Sequence, residues 1–282
     1  MRIVLGLFAL LLGVPDDGAS FKEFDRRARA GERLNVVFFG ASLTWGANAS
    51  DPLQTSYRAL VARRLEGRYP EARFKFWDAA IGGTGSQLGV FRLDRDVLSR
   101  KPDLVFLDFT ANDDIHSADL DTLASYESLV RRMVQARIPV VQVIFPFLWN
   151  VKDGTLEAMK RRTAHREISA ACRTGLGDAV EPARNRVAAG ETTLEKIWPL
   201  DGVHPCDAGV VLFADAAWDA FGEAVTKGQV CTAPAKTIHG DTYLTPARVR
   251  FSTLSDLPAG WATRRSPRPA PSRSGSSSGA AW

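Results

Sequence analysis

Between residues 35 and 46 the chain reads Asn35-Val36-Val37-Phe38-Phe39-Gly40-Ala41-Ser42-Leu43-Thr44-Trp45-Gly46. Val36 to Phe39 are consecutive apolar residues, β-branched or aromatic, and they run straight into a glycine and then a serine. An unbroken apolar run closed by glycine predicts a strand buried on both faces, as in a parallel sheet covered by helices. Ligands of such sheets bind beyond the carboxyl ends of the strands. Ser42 would therefore present its hydroxyl where chemistry is usually done. A serine in this place also suits the start of a helix, and the stretch alone leaves both readings open.

Outward from this strand the pattern alternates. Phe21 to Gly31 reads as a short helix, and Ala47 to Pro52 as a polar loop. Leu53 to Tyr69 keeps helical spacing through Tyr57, Leu60, Val61 and Leu65, with Arg58, Arg63, Arg64 and Arg68 on a solvated face. Arg73 to Ala79 is a second strand, followed by the glycine turn Gly82-Gly83-Thr84-Gly85, where glycine permits positive φ or close backbone approach. Leu88 to Ser99 is a helix stopped by Lys101-Pro102. Leu104 to Phe109 is a strand, Asp119 to Arg137 a helix, Ile138 to Phe145 a strand, and Leu156 to Cys172 a helix. A short strand is placed at Ala179-Val180 and a helix over Pro182 to Ala189. Asp207 is read as the N-cap of a helix over Ala208 to Thr226. Strand and helix in alternation predict a parallel sheet with helices on both faces.

Three segments beyond the first strand carry chemistry: Ala80-Ile81-Gly82-Gly83-Thr84-Gly85-Ser86, Phe109-Thr110-Ala111-Asn112-Asp113, and Asp201-Gly202-Val203-His204-Pro205. With Ser42 they give a serine, a glycine turn, an asparagine and an Asp-x-x-His, in that order. This set resembles the SGNH (GDSL-like) hydrolase family, through Ser42, Gly83, Asn112 and His204, over roughly residues 35 to 226. One departure is Gly40-Ala41-Ser42-Leu43 where the family has Gly-Asp-Ser-Leu. The resemblance implies a flavodoxin-like three-layer α/β/α sandwich with about five parallel strands. It also implies a serine ester hydrolase that needs no metal or cofactor.

The residue types suit that chemistry. A serine hydroxyl at neutral pH needs a base within hydrogen-bond reach. His204 is the candidate, with Asp201 in the same loop to hold its other ring nitrogen. By resemblance, the oxyanion donors are the N–H groups of Ser42 and Gly83 and the side chain of Asn112. A lone Asn-Asp pair can equally be only a turn former. The α/β-hydrolase elbow Gly-x-Ser-x-Gly is not met, because Thr44 stands two after Ser42. Of the other histidines, His116 is placed near the cleft, His165 on an exposed helix face, and His239 on a C-terminal arm. Asp78 and Asp108 are assigned to pairings in the sheet region. Trp45, Trp149 and Trp198 fall on loops expected at the site's edge, where aromatic faces can stack on a sugar ring or an aryl group, or pack in the core. The expected substrate is a small-molecule or carbohydrate ester with a short acyl group. No long hydrophobic lid favours a lipase. The rivals are a non-catalytic carbohydrate- or cell-surface-binding module on the same fold, and a flavodoxin-like nucleotide binder.

Composition places few further bounds. The 282 residues are 45% hydrophobic and 24% charged, with formal charge +4, ordinary for a globular chain. Arg264, Arg265, Arg268 and Arg273 lie in residues 262 to 282, which hold no acid, so the remainder is about neutral. That leaves no nucleic-acid footprint. Met1-Arg2 and the apolar run to Val14 predict a secretory signal over residues 1 to 19 and no stable membrane span in the mature chain. The hydrolase domain is assigned to residues 20 to 231, an extended arm to 232 to 261, and a disordered Arg/Pro/Ser/Gly-rich tail to 262 to 282. There are three cysteines. Cys206 and Cys231 flank a helix of about 27 Å that the following residues cannot span back. Cys172 and Cys231 follow helices expected to end at the same side of the sheet and are able to meet. No metal-ligand spacing is present.

Overall fold

A computed structural model describes residues 18–153 and 155–248. The chain divides into a unit of Met1–Pro246 and a second of Ala247–Trp282. The expected signal run up to residue 17 and the tail, with Val249 and Phe251 of the arm, lie outside the described residues. Within the first unit the chain opens with β1 (Ala19–Ser20) and α1 (Phe21–Arg29), then β2 (Arg33–Gly40), the one-turn α2 (Ser42–Trp45), α3 (Tyr57–Arg68) and β3 (Arg73–Ala80). Next come α4 (Ser86–Asp96), a 3₁₀ turn at Leu98–Arg100, β4 (Leu104–Leu107), α5 (Leu120–Gln135), β5 (Val140–Ile144) and α6 (Leu148–Lys152). The unit closes with α7 (Lys160–Cys172), β6 (Gly175–Asp178), α8 (Val180–Ala188), α9 (Leu194–Ile197), α10 (Asp207–Thr226) and β7 (Val230–Cys231).

Five strands form one parallel sheet in the order β3-β2-β4-β5-β6. Helices flank it in two groups, α4 against α5 and α5 against α7, and α3 and α1 against α10, which also packs on β6. The expected α/β/α architecture is therefore the one found. Val36 to Phe39 are all buried because β2 is paired on both edges and covered on both faces. Phe38 stacks on Phe106 of β4 with ring centroids 5.1 Å apart, and Phe145 on Phe213 of α10 at 4.3 Å. After β2 the chain steps outward to β3, then crosses back over β2 to β4. That reversal opens a crevice at the carboxyl ends of β2 and β4, the place where such sheets take ligands.

Several elements differ from the sequence reading; α6, for one, stands where the sequence reads as a loop around Trp149. The last strand of the main sheet is Gly175–Asp178, not Ala179-Val180. The reason is packing: a Cβ on Gly177 would sit 2.5 Å from the Ala216 carbonyl, so α10 approaches this closely only because the strand meets it with glycines. A Gly-Leu-Gly-Asp strand carries no β-propensity to read. Asp207 is the first residue of α10 rather than its N-cap, which is Cys206. Its carboxylate instead accepts from Ser50 N, Ser50 Oγ and Thr55 Oγ1 at 2.8, 2.5 and 2.8 Å, tying α10 to the loop after α2. The arginines of α3 are likewise less free than expected: Arg58 pairs with Asp78 (3.2 Å), Arg64 with Asp215 (2.6 Å) and Arg68 with Asp25 (3.6 Å).

Residues 232–248 carry no helix or strand, and 234–243 run along α5. The buried Glu127 accepts from the backbone N–H groups of Ile238 and His239 at 2.8–3.0 Å, and Arg131 donates to the carbonyls of Pro234 and Lys236. Cys172 and Cys231 are buried free thiols on adjoining segments, joined by the Thr232 N–H to Cys172 carbonyl bond of 2.9 Å. Burial pushes them up to about 11 and about 12, respectively.

Candidate active site

The strand ends bring the sequence motifs to one edge of the sheet. Ser42 follows β2 and does open a helix, the single turn α2, which Gly46 closes in the left-handed region. The Ser42 hydroxyl also meets His204 Nε2 at 2.9 Å. His204 Nδ1 lies 3.2 Å from Asp201 Oδ2, with the proton on Nδ1 in the tautomer that leaves Nε2 free to accept. Asp201 Oδ1 caps its own loop, accepting from Val203 N (2.8 Å) and His204 N (2.6 Å). Burial pushes the Asp201 carboxyl upward but is outweighed by these hydrogen bonds and the one from Asn48, which hold it at about 2. Asp201 is thus a carboxylate at any pH where the fold is of interest.

Gly83 and Asn112 arrive from β3 and β4. Gly83 sits at φ +70°, and its neighbour Gly82 lies against Ser42, where an added Cβ would be 3.7 Å from the serine Cβ. Asn112 is half-buried in the turn closed by the Asp113 N–H to Phe109 carbonyl bond of 3.0 Å. Asp113, next in sequence, is buried and accepts from Ser86 N at 2.9 Å. It fastens the Asn112 turn to the glycine turn at the head of α4. A serine oxygen hydrogen-bonded to an imidazole, as Ser42 is to His204, can attack a carbonyl while the ring takes its proton.

Several residues around this core were not singled out in the sequence. Asn48, in the left-handed region at φ 67°, donates from Nδ2 to Asp201 Oδ2 (3.0 Å) and to the His204 carbonyl (3.2 Å). Thr44 is fully buried under Ser42 and donates to Asp108 Oδ2 at 3.0 Å. Desolvation dominates at Asp108, with a push from Asp113, and raises its carboxyl to about 7 against the pull of the Thr44 bond. Asp78 and Asp108 therefore take different partners, Arg58 and Thr44.

The aromatic expectations divide. Trp45 (48% exposed) and Trp149 (44%) present rings to solvent beside the site. Trp149 lies on α6 rather than on a loop and packs against the loop carrying Asp201 and His204: a Cβ on Gly202 would be 2.9 Å from its ring. Trp198 is a correction, buried at 4% in the core behind α9, where its size rather than its ring face is used. His165 is another. It is fully buried, stacked 3.5 Å from Tyr126 and 2.8 Å from Thr110 Oγ1, because α7 packs its flank onto α5 despite a sequence rich in Lys and Arg. Desolvation keeps its imidazole neutral. His116 is half-exposed between Ala158 O and Asn150 Nδ2, and His239 is on the arm. Among the described residues no group of His, Cys, Asp and Glu is arranged to hold a metal ion, and no helix is long and apolar enough to cross a membrane.

Residues 38–211 match the GDSL-like lipase/acylhydrolase family. The chain belongs to that family, and it is a carboxylic ester hydrolase. It is 26% identical over 205 residues, 66% of this chain and 92% of the relative, to an acetylxylan esterase of Geobacillus stearothermophilus. It also resembles a two-domain esterase active on acetylated mannans, solved with mannopentaose, at 30% identity and TM-score 0.66, over 78% of this chain. The match spans 59% of that two-domain protein. The Geobacillus acetylxylan esterase structure, at 22% identity and TM-score 0.55 over 67% of this chain and 94% of its own, shares the fold.

Proposed function

We propose that the protein is an exported carbohydrate acetylesterase that removes short acyl groups, chiefly acetyl, through an acyl-enzyme on Ser42. The observation that carries this reading is the unbroken chain Ser42 Oγ–His204 Nε2–Asp201, at 2.9 and 3.2 Å. His204 takes the serine proton as Oγ attacks the ester carbonyl. The carbonyl oxygen becomes an anion held by the N–H groups of Ser42 and Gly83 and the Asn112 amide. Collapse expels the sugar alcohol, which receives the proton from His204. Water then repeats the sequence on the acetyl-serine, releasing acetate and restoring Ser42. Asp201, ionised throughout, stabilises the imidazolium formed in each half.

The substrate class is supported by the site's openness and by the relatives. The Asp201 and His204 side chains are 45% and 24% exposed, so a polymer can reach them without a lid opening. Trp45 and Trp149 offer exposed ring faces beside them, the kind of surface on which a pyranose stacks. The relatives named for acetylated xylan and mannan point the same way. A retained fold that merely binds carbohydrate has no use for a serine on a histidine on a carboxylate. Export rests on the apolar run after Arg2. Acetate release from acetylated xylan and acetylated mannan, alongside p-nitrophenyl esters of rising chain length, tests the reading. We expect release from at least one polysaccharide and rates that fall beyond acetyl. No release, or a preference for long chains, contradicts it.

A further inference from the structure

Arg92 lies midway along α4 and is buried, only 3% exposed. Its guanidinium donates from Nη1 to the Ala79 carbonyl at 2.6 Å and from Nη2 to the Gly40 carbonyl at 2.8 Å. Gly40 ends β2, two residues before Ser42, and Ala79 lies at the end of β3, just before the glycine turn. The Gly40 carbonyl also accepts the Ile81 N–H at 3.1 Å, so three groups meet where the two strands part. The guanidinium carbon stands 4.4 Å from the Phe39 ring centroid and 5.7 Å from that of Phe109, which precedes the Asn112 turn. The guanidinium pairs with the Asp96 carboxylate at 3.3 Å. Buried carbonyls need a donor, and a planar fork can serve two at fixed separation where a lysine reaches one. The same helix contributes Ser86 N to Asp113. One rigid element therefore holds the strand ends before Ser42 and Gly83, and the turn carrying Asn112.

We propose that Arg92 is a positioning residue of the oxyanion hole, its fork fixing the end of β2 against the end of β3 so that the Ser42 and Gly83 donors converge. The inference rests on the role proposed for Ser42 and goes beyond it. A merely structural arginine would affect stability alone. A positioning one affects how well the site binds a tetrahedral anion, while binding of the planar ester is nearly unchanged.

The test uses the full chain with Arg92→Met, Arg92→Lys and Asp96→Asn, the last removing the carboxylate that Arg92 shares with Arg95. Each is assayed below its own Tm, with the fold checked by circular dichroism, for hydrolysis of p-nitrophenyl acetate and for inhibition by phenylboronic acid, which becomes tetrahedral and anionic on an active serine. In Arg92→Met we expect kcat to fall about 10- to 100-fold, the cost of displacing reacting groups by up to ~1 Å. KM should change little, and the boronate Ki should rise by the same factor as kcat falls. Arg92→Lys should recover part of the loss, and Asp96→Asn should show a smaller loss in the same direction. A folded Arg92 variant with unchanged kcat and boronate affinity overturns the proposal, as does a loss confined to KM or Tm. If neither Arg92 variant folds, Asp96→Asn decides, and unchanged boronate affinity there overturns it. Wild-type enzyme that boronate does not inhibit sinks the Ser42 reading instead, so the two failures are distinguishable.

Discussion

The two sides of the proposed active site are built in opposite ways. The loop carrying Asp201 and His204 is open to solvent and stands on a handful of hydrogen bonds, from Val203 N, His204 N and Asn48 Nδ2 to one carboxylate. The side carrying Ser42, Gly83 and Asn112 is anchored in the core through buried polar groups: Thr44 on Asp108, Arg92 on two carbonyls, and Asp113 on Ser86. The difference follows from the two tasks. A proton relay needs one histidine at the correct distance, and water around its carboxylate costs little. Oxyanion stabilisation needs several donors fixed in advance in a low-dielectric setting, because donors that must reorganise lose most of their value.

The comparison can be broken at its joint. Ser42 belongs to both sides, so Ser42→Ala should lower kcat by about 10⁴-fold or more with the fold intact. On the buried side, Asn112→Ala should lower kcat by about 10²–10³-fold with KM little changed. In the Ser42→Ala background the same change should add almost nothing. Steady-state kinetics on p-nitrophenyl acetate read both, and a near-wild-type kcat in Asn112→Ala removes the oxyanion role. On the open side, Asn48→Ala leaves Asp201 with water in place of an amide, and kcat should fall only about three- to tenfold, the worth of one ordinary hydrogen bond whose partner water replaces, about 0.5–1.5 kcal/mol. A loss as large as that of Asn112→Ala would show that the open loop is as tightly preorganised as the buried side.

The pH dependence of stability separates the sides again. Asp201, lowered in the folded state to about 2, contributes stability that is fully present above the unfolded value near 3.8 and lost as pH falls from there toward 2. Asp108, raised to about 7, acts with the opposite sign. Below about pH 4 it is protonated folded or unfolded and costs nothing. As pH rises from about 4 to 7 the unfolded chain loses that proton and the folded one keeps it, so stability declines. Asp108→Asn should abolish that decline and raise stability at pH 7.5, by about 2–4 kcal/mol. Urea unfolding at pH 4.5 and 7.5 measures it, and equal effects at both pH values would contradict the assignment.

What the sequence made legible follows the same division. The apolar strands announced the sheet, because Val36 to Phe39 and Leu104 to Leu107 are buried on both faces and leave no alternation to confuse. The serine, glycine, asparagine and Asp-x-x-His motifs were visible because each is local. Asn48 was not, since its partner Asp201 lies 153 positions away. Nor was Arg92, which looks like any arginine on a helix until the fold sets it under two strand ends. Trp198 and His165 were misplaced for a related reason: residue type gives exposure only on average, and packing of α9 and α7 settled it here. The strand at Gly175–Asp178 was invisible because glycine, chosen for the close approach of α10, erases the pattern that marks a strand.

The most direct test of the account is covalent. Wild-type protein treated with an aryl fluorophosphonate, then digested and mapped by mass spectrometry, should carry one adduct per chain on Ser42. Labelling should be lost in Ser42→Ala and slowed strongly in His204→Ala, with acetate release from p-nitrophenyl acetate lost in step. An adduct on another serine, or acetate release that persists in Ser42→Ala, would contradict it.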